Sequence, residues 1–373
     1  MMKAVPFLSL THQHIQIREE MDAAIKRVID GGQFILGEEV SAFESTFASF
    51  SGVQYCAGVG NGLDALVCAL KALAISDGDE VIVPSHTCYA TWLAVQKAGA
   101  KPVPVEVDER TFTIRPELIE QAITSRTKVI IPVHLYGYPC DMNSIMAIAR
   151  RHHLTVVEDN AQAHGAGYEN RLTGSWGDVN ATSFYPTKNL GALGDGGAIT
   201  TNNRAHFDFV KAYSNYGGRN QHFELAGINS RLDEVQAAIL RVKLHYLLQW
   251  NFQRILLAQR YDSLLKNVGD VVLPPLGDDR SKPVFHLYVI QTNYRDQLQQ
   301  YLKEQNIGTS IHYPEPIHLQ KPFKYLGGLS AGSLPVAERL SQTVLSLPLW
   351  PGLTQDQQES VADHIRKFFD HHL

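Results

Sequence analysis

Long apolar runs are missing. No stretch of the 373-residue chain approaches the roughly 20 consecutive apolar residues of a membrane-spanning helix. The opening MMKAVPFLSLTHQHIQIREE also lacks the basic segment followed by an apolar core that marks a secretory leader, so a cytoplasmic protein is expected. Cysteine is sparse: Cys56, Cys68, Cys88 and Cys140 lie far apart and form no CxxC pair, which argues against a disulfide framework or a structural zinc site and predicts free thiols and no metal centre. Positive charge is not in excess either. At a formal net charge of −5 nothing marks a nucleic-acid surface, and an anionic ligand must be held by local donors, not by an overall field. No internal repeat or low-complexity segment is visible. What is present, 44% hydrophobic and 19% charged residues, describes a soluble globular chain large enough for two domains.

The chain order begins with an amphipathic helix over 15–30, ended by Gly31 and Gly32. A second helix follows Gly37 and buries Val40, Phe43, Phe47 and Phe50 before Gly52 stops it. A short strand then runs into Gly60, Asn61 and Gly62 and a new helix. Such a turn presents free backbone N–H groups at the positive end of a helix dipole, a seat for phosphate, although many strand-to-helix turns need glycine only for their conformation. From Asp79 on, EVIVP, PVPVEV, KVIIPV and LTVVED alternate with helical stretches, which predicts a largely parallel sheet covered on both faces. Ligands of such sheets bind at the carboxyl ends of the strands. Those ends carry Ser85 to Cys88, His134 and Tyr136, Asp159 and Gln162, and Ser183 to Lys188.

Asp159 leaves one buried-strand pattern and Lys188 follows another, 29 residues later. Alone, the pair is an ordinary surface feature, because Asp and Lys are mostly exposed. At neighbouring strand ends it suits pyridoxal phosphate, the amine forming a Schiff base and the carboxylate keeping the pyridine nitrogen protonated. After GDGGAITTN, a long helix over 230–250 links a large domain, 1–245, to a small C-terminal α/β domain, 246–373. The latter reads as a helix to about Leu265, the strand VFHLYVIQT, a helix through Leu298 and Leu302, a strand into IHYPEP, and a final helix opened by a capping box from Thr354 to Gln357.

Seven blocks in order, GNGLDAL, EVIVPSHT, PVHLYGYPCDM, VVEDNAQAHGA, SFYPTKNLGALGDGGA, NSRLDEVQAA and HYPEPIHL, resemble the DegT/DnrJ/EryC1/StrS sugar aminotransferases over nearly the whole chain. The resemblance implies the fold-type I (aspartate aminotransferase-like) α/β fold, with a mostly parallel sheet. It further implies pyridoxal 5'-phosphate, with pyridoxamine 5'-phosphate as its other form, and a cytoplasmic homodimer with active sites shared between subunits. KNLGALGDGGA with HLYG and QAHGA looks most like enzymes that move the amino group of L-glutamate onto C3 of a dTDP-linked 3-keto-6-deoxyhexose, for a surface polysaccharide or a glycosylated metabolite.

By the same resemblance, Lys188 is the Schiff-base lysine and proton shuttle, and Asp159 holds the ring N–H. Gln162 lies at the ring hydroxyl, while Ser183 and the backbone of Gly62 and Leu63 bind phosphate. Asn229 reaches the other subunit's phosphate, and Tyr185, His312, Tyr313 and Arg219 line the substrate side, with Arg231 a second arginine for an anion. His164 reads more readily as a structural histidine than as a catalyst. Where relatives place an aromatic on the ring face this chain has Cys88, so either the thiol covers that face, the favoured reading, or Tyr89 shifts into the role. Burial and nearby positive charge are expected to lower the Lys188 pKa. The alternatives are amination at C4 or of a UDP-sugar, and a non-catalytic regulator or scaffold of the same fold. Lys188 argues against the scaffold and against the dehydratases that carry histidine in its place.

Overall fold

The alternating apolar runs fold into one sheet. The computed structural model describes residues 4–219, 222–326 and 328–372, and the side chains of Arg219, Tyr325 and His372 lie outside the description. The strands are β1 (Tyr55–Val59), β2 (Glu80–Pro84), β3 (Lys101–Val105), β4 (Thr127–Ile130), β5 (Thr155–Asp159), β6 (Val179–Ser183) and β7 (Gly197–Thr201). Their order is β1-β7-β6-β5-β4-β2-β3. Only β7 runs antiparallel to its neighbours, β1 and β6. The pairs β2/β3, β2/β4, β4/β5 and β5/β6 are parallel.

The helices are α1 (Thr11–Gln16), α2 (Arg18–Gly31), α3 (Glu38–Ser51), α4 (Gly62–Ala72), α5 (Tyr89–Lys97), α6 (Pro116–Ala122), α7 (Met142–Arg151), α8 (Arg204–Tyr213), α9 (Glu234–Leu265), α10 (Arg295–Glu304), α11 (Pro335–Thr343) and α12 (Gln355–His372). Strand residues divide between two cores by the period of two. Val81, Val83, Val129 and Val157 pack with α4 and α5, whereas Ile82, Ile130 and Val156 pack with α6 and α7. Both faces are covered, which is why the strands lack polar alternation.

The C-terminal body has its own core. The end of α9, α10 and α12 enclose the antiparallel pair β8 (Tyr288–Gln291) and β9 (Val344–Leu347). The capping box forms as expected, with Gln357 N–H donating to Thr354 Oγ1 at 3.2 Å and Thr354 N–H to Gln357 Oε1 at 3.0 Å. The body is not sealed off from the rest. Ile317, Phe323 and Leu340 join the core that contains α4 and α5, and Val5 bridges to Ile307.

Several local expectations change. The first helix breaks at Ile17 into α1 and α2. The long helix does not end near Trp250: α9 is one helix of 32 residues through position 245, with Leu247, Trp250, Arg254, Ala258 and Tyr261 buried along it. No strand forms at IHYPEP, where Ser310 makes an isolated bridge to Ser346.

Candidate functional site

Asp159 is the last residue of β5, in register with Ala181 of β6. The chain between them makes a small hairpin instead of a crossover helix, so Asp159 and the turn after β6 open on one side. Opposite them, Asn61 caps α4, its Oδ1 accepting from Asp64 N–H at 2.9 Å. The N–H groups of Gly62 and Leu63 in that first turn have no partner among the described residues, as expected of a helix start waiting for an acceptor. Gly62 lies tight on Ser183: a Cβ there would come within 2.5 Å of the serine Cβ.

A cavity of about 360 Å³ lies between these elements. Its wall contains Gly62, Leu63, Cys88, Asp159, Gln162, Ser183, Tyr185 and Lys188, eight residues nominated from the sequence. Cys88 sits at the cap of α5, whereas the Tyr89 ring turns away onto Phe323, 5.4 Å between centroids. Of the four cysteines, all free, Cys88 is the one that is not fully buried. His312 and Tyr313 lie just beyond the wall: Gln162 Nε2 donates to the Tyr313 hydroxyl at 3.3 Å, and Gln162 Oε1 accepts from Tyr136 N–H at 2.7 Å. Asn229 is exposed and outside this chain's own cavity, with its backbone bridged to Asn215. The Arg219 side chain lies outside the described residues. Arg231 donates to Asn215 Oδ1 at 3.0 Å, away from the cavity.

Burial sets the charge states. Lys188 borders the cavity without a hydrogen-bond partner for its amine among the described residues, and desolvation lowers its pKa. The expected positive neighbour is not what lowers it; Cys88 and Asp159 act the other way and burial prevails. Desolvation raises the Asp159 carboxyl above its ordinary range, against the N–H of Ala161 at 3.1 Å, the hydroxyl of Thr91 at 3.0 Å and the more distant Lys188. A buried carboxylate held by two hydrogen bonds and no ion pair fits a cationic N–H arriving from the cavity.

His86 and Tyr136 form the outer support. The Tyr136 hydroxyl donates to the His312 carbonyl, and so accepts from His86 Nε2 at 2.9 Å. Burial pushes His86 down to about 4, and likewise His312, whose Nδ1 pairs with Ser346 Oγ at 2.8 Å. His164 is structural: its Nε2 meets Thr182 Oγ1 at 2.8 Å and its ring stacks on Phe184. Sequence reasoning placed Asn61 in the phosphate-type turn but missed Leu66, Ala90, Val133, Ala161 and Asp195 on the wall, and Thr91 behind it. The GDGG run could have pointed to Asp195.

A second recess of about 270 Å³, around Asp108, Arg115, Tyr138, Asp141 and Arg280, carries both signs of charge and none of the nominated residues. Among the described residues no group of three or more His, Cys, Asp or Glu is placed to hold a metal, and no helix is long and apolar enough to cross a membrane.

Residues 15–366 match the DegT/DnrJ/EryC1/StrS aminotransferase family. A dTDP-3-amino-3,4,6-trideoxy-alpha-D-glucose transaminase of Streptomyces venezuelae is 47% identical over 366 residues, 98% of this chain and 96% of the relative. A dTDP-3-amino-3,6-dideoxy-alpha-D-galactopyranose transaminase of Aneurinibacillus thermoaerophilus is also 47% identical, over 98% of this chain and 99% of its own. Among solved structures, S. venezuelae DesV in complex with a ketimine intermediate superposes with a TM-score of 0.96 at 46% identity, covering 99% of both chains. With its sheet, its strand-end cavity and matches over nearly its full length, the chain belongs to the DegT/DnrJ/EryC1/StrS aminotransferase family.

Proposed function

We propose that the protein is a pyridoxal phosphate-dependent aminotransferase that moves the amino group of L-glutamate onto C3 of a dTDP-linked 3-keto-6-deoxyhexose. The observation that carries this reading is the single cavity with Lys188 and Asp159 on one side and the unpaired N–H groups of Gly62 and Leu63 on the other. The relatives that form dTDP-3-amino sugars support the choice of carbon and nucleotide.

When bound, the cofactor supplies a carbonyl for the amine and a cationic ring that accepts the electron pair released at the donor's α-carbon. Asp159 would hold the ring N–H by charge and supply no proton. Gly62 and Leu63 N–H with Ser183 Oγ would hold the phosphate, Gln162 would bind the ring hydroxyl, and the Cys88 thiol would cover the ring face. Lys188, whose pKa burial lowers, would act in its unprotonated form: Nζ would take the proton from the donor's α-carbon and deliver it to the cofactor carbon that bears the nitrogen, and in the second half would carry one from that carbon to sugar C3. Tyr185, His312, Tyr313 and Arg219 bind the sugar nucleotide or the donor. Asn229, exposed and outside its own chain's cavity, serves the other subunit of a cytoplasmic homodimer, and residues 1–245 and 246–373 form the large and small domains that enclose the substrate.

Two measurements test the reading. Purified protein is expected to be yellow and to lose that absorbance irreversibly with borohydride, whereas Lys188→Ala forms no reducible adduct and loses about a thousandfold or more in activity. Incubation with glutamate and either a 3-keto or a 4-keto dTDP-sugar, followed by NMR of the product, is expected to place the new amine at C3. Amination confined to C4 refutes the regiochemistry, and protein that never takes up pyridoxal phosphate refutes the whole.

A further inference from the structure

Behind the cavity wall a row of hydroxyls ends on the buried carboxylate. Thr91 Oγ1 donates to Asp159 Oδ2 at 3.0 Å, and Thr87 Oγ1 lies 3.2 Å from Thr91 Oγ1. Both threonines are almost completely buried, Thr91 at 0% and Thr87 at 1% exposure. The direction of the row follows from chemistry. An ionised carboxylate only accepts, so Thr91 gives its single proton to Asp159 and its lone pair is left to accept from Thr87. Among the described residues Thr91 makes the only side-chain hydrogen bond to Asp159; the other donor is the backbone N–H of Ala161. The charged or titratable groups facing the carboxylate, Lys188 and His134, form no ion pair with it.

We propose that Thr91, itself oriented by Thr87, is a positioning residue that keeps Asp159 ionised and aimed at the cavity, and thereby sets how firmly a cationic ring is held there. Thr91 touches neither substrate nor cofactor; it acts through Asp159. Its place in the first turn of α5 adds the positive end of that helix to the hydroxyl, and both favour the charged form. The inference rests on the cofactor assignment above and deepens it.

The test compares wild type with Thr91→Val, which keeps the shape and removes the hydroxyl, and Thr91→Ser, which keeps the hydroxyl. Pyridoxal phosphate affinity is measured by absorbance titration across pH, and the Asp159 carboxyl is followed by carbon NMR in the full-length protein without cofactor, with Asp159→Asn to assign its signal. Thr91→Val is expected to bind about tenfold more weakly at neutral pH, to move the acid limb of the affinity profile upward, and to raise the Asp159 midpoint; Thr91→Ser stays within about twofold of wild type. A Val variant that matches wild type in affinity and midpoint, or a Ser variant as weak as Val, overturns the role. If wild type itself takes up no pyridoxal phosphate, the cofactor assignment fails. The carboxyl midpoint then decides the role of Thr91 alone, and an unmoved midpoint in Thr91→Val sinks it.

Discussion

Glu158 and Asp159 are neighbours on β5, both buried, and are held in opposite ways. Glu158 accepts from Gly174 N–H at 2.7 Å, Trp176 N–H at 2.5 Å, Gly177 N–H at 3.0 Å and His134 Nε2 at 2.8 Å. Asp159, on the other face of the strand, has only Thr91 and Ala161 among the described residues. Because Cys140 N–H donates to His134 Nδ1 at 3.0 Å, the His134 proton sits on Nε2 and points at Glu158. One carboxylate is saturated and fastens the turn after β5; its neighbour is left short of donors toward the cavity.

Glu158→Gln is therefore expected to harm stability. The amide turns an N–H toward donors that need an acceptor, at a cost of about 3 kcal/mol or more. Asp159→Asn removes a charge that burial disfavours, so the cofactor-free variant is expected to unfold at the same or a higher urea concentration than wild type while losing at least about a hundredfold in turnover. Urea unfolding and initial rates on the two variants check the contrast; a Glu158→Gln midpoint equal to wild type would contradict it.

Gly62→Ala addresses the proposed phosphate seat. The added Cβ would stand 2.5 Å from Ser183 Cβ, so the first turn of α4 must move and its two free N–H groups with it. Pyridoxal phosphate affinity is expected to fall about tenfold or more. Removing the obstruction in the double variant Gly62→Ala/Ser183→Gly recovers part of that loss, less the serine's own contact. No recovery would mean that the clash is not the cause.

Much of this is legible in the sequence. The order of strands and helices, both covered faces and the strand-end cavity follow from apolar runs and glycine turns, because local pattern and global fold agree there. The antiparallel β7 was not: GAITT carries no mark of direction, and parallel and antiparallel partners differ only in the path of the chain. The unbroken α9 was hidden for the opposite reason. Its buried residues face first the large body and then the C-terminal core, so the apolar face rotates and the sequence reads as two helices. Lys188 and Asp159 stood out by residue type at strand ends, whereas Thr91 has meaning only once α5 is seen to begin beside the end of β5.

Tyr136 joins the sheet to the segment that carries His312 and Tyr313. Its hydroxyl holds the His312 carbonyl and receives His86 Nε2, and its backbone N–H holds Gln162. Tyr136→Phe leaves the backbone bond and removes the other two. KM for the sugar nucleotide is expected to rise about five- to tenfold with kcat within about twofold, since one or two buried hydrogen bonds are lost beside residues proposed to bind substrate and not to move protons. Steady-state kinetics at saturating glutamate separate the two constants, and a fall confined to kcat would move Tyr136 into the chemistry.

Lys243 gives the fold a pH dependence of its own. It is buried on α9, where its amine donates to the Gly191 carbonyl at 2.7 Å in the loop after Lys188 and meets His14 Nε2 of α1 at 3.1 Å. Burial lowers its pKa from 10.5 to about 8. Between those two values the unfolded chain binds a proton that the native protein does not, so stability rises with pH there; below about 8 both states are charged and the full burial penalty is present. Lys243→Met removes the titration along with the two hydrogen bonds. The unfolding free energy of wild type relative to Lys243→Met is thus expected to increase by about 3 kcal/mol from pH 7 to pH 10.5, measured by urea unfolding of both proteins at each pH. Groups common to both cancel in the comparison, and His14 titrates below this window because burial and Lys243 lower its pKa. A difference that stays constant across the range would show that Lys243 keeps its charge in the folded protein, with the Gly191 carbonyl and neighbouring dipoles solvating it as water would.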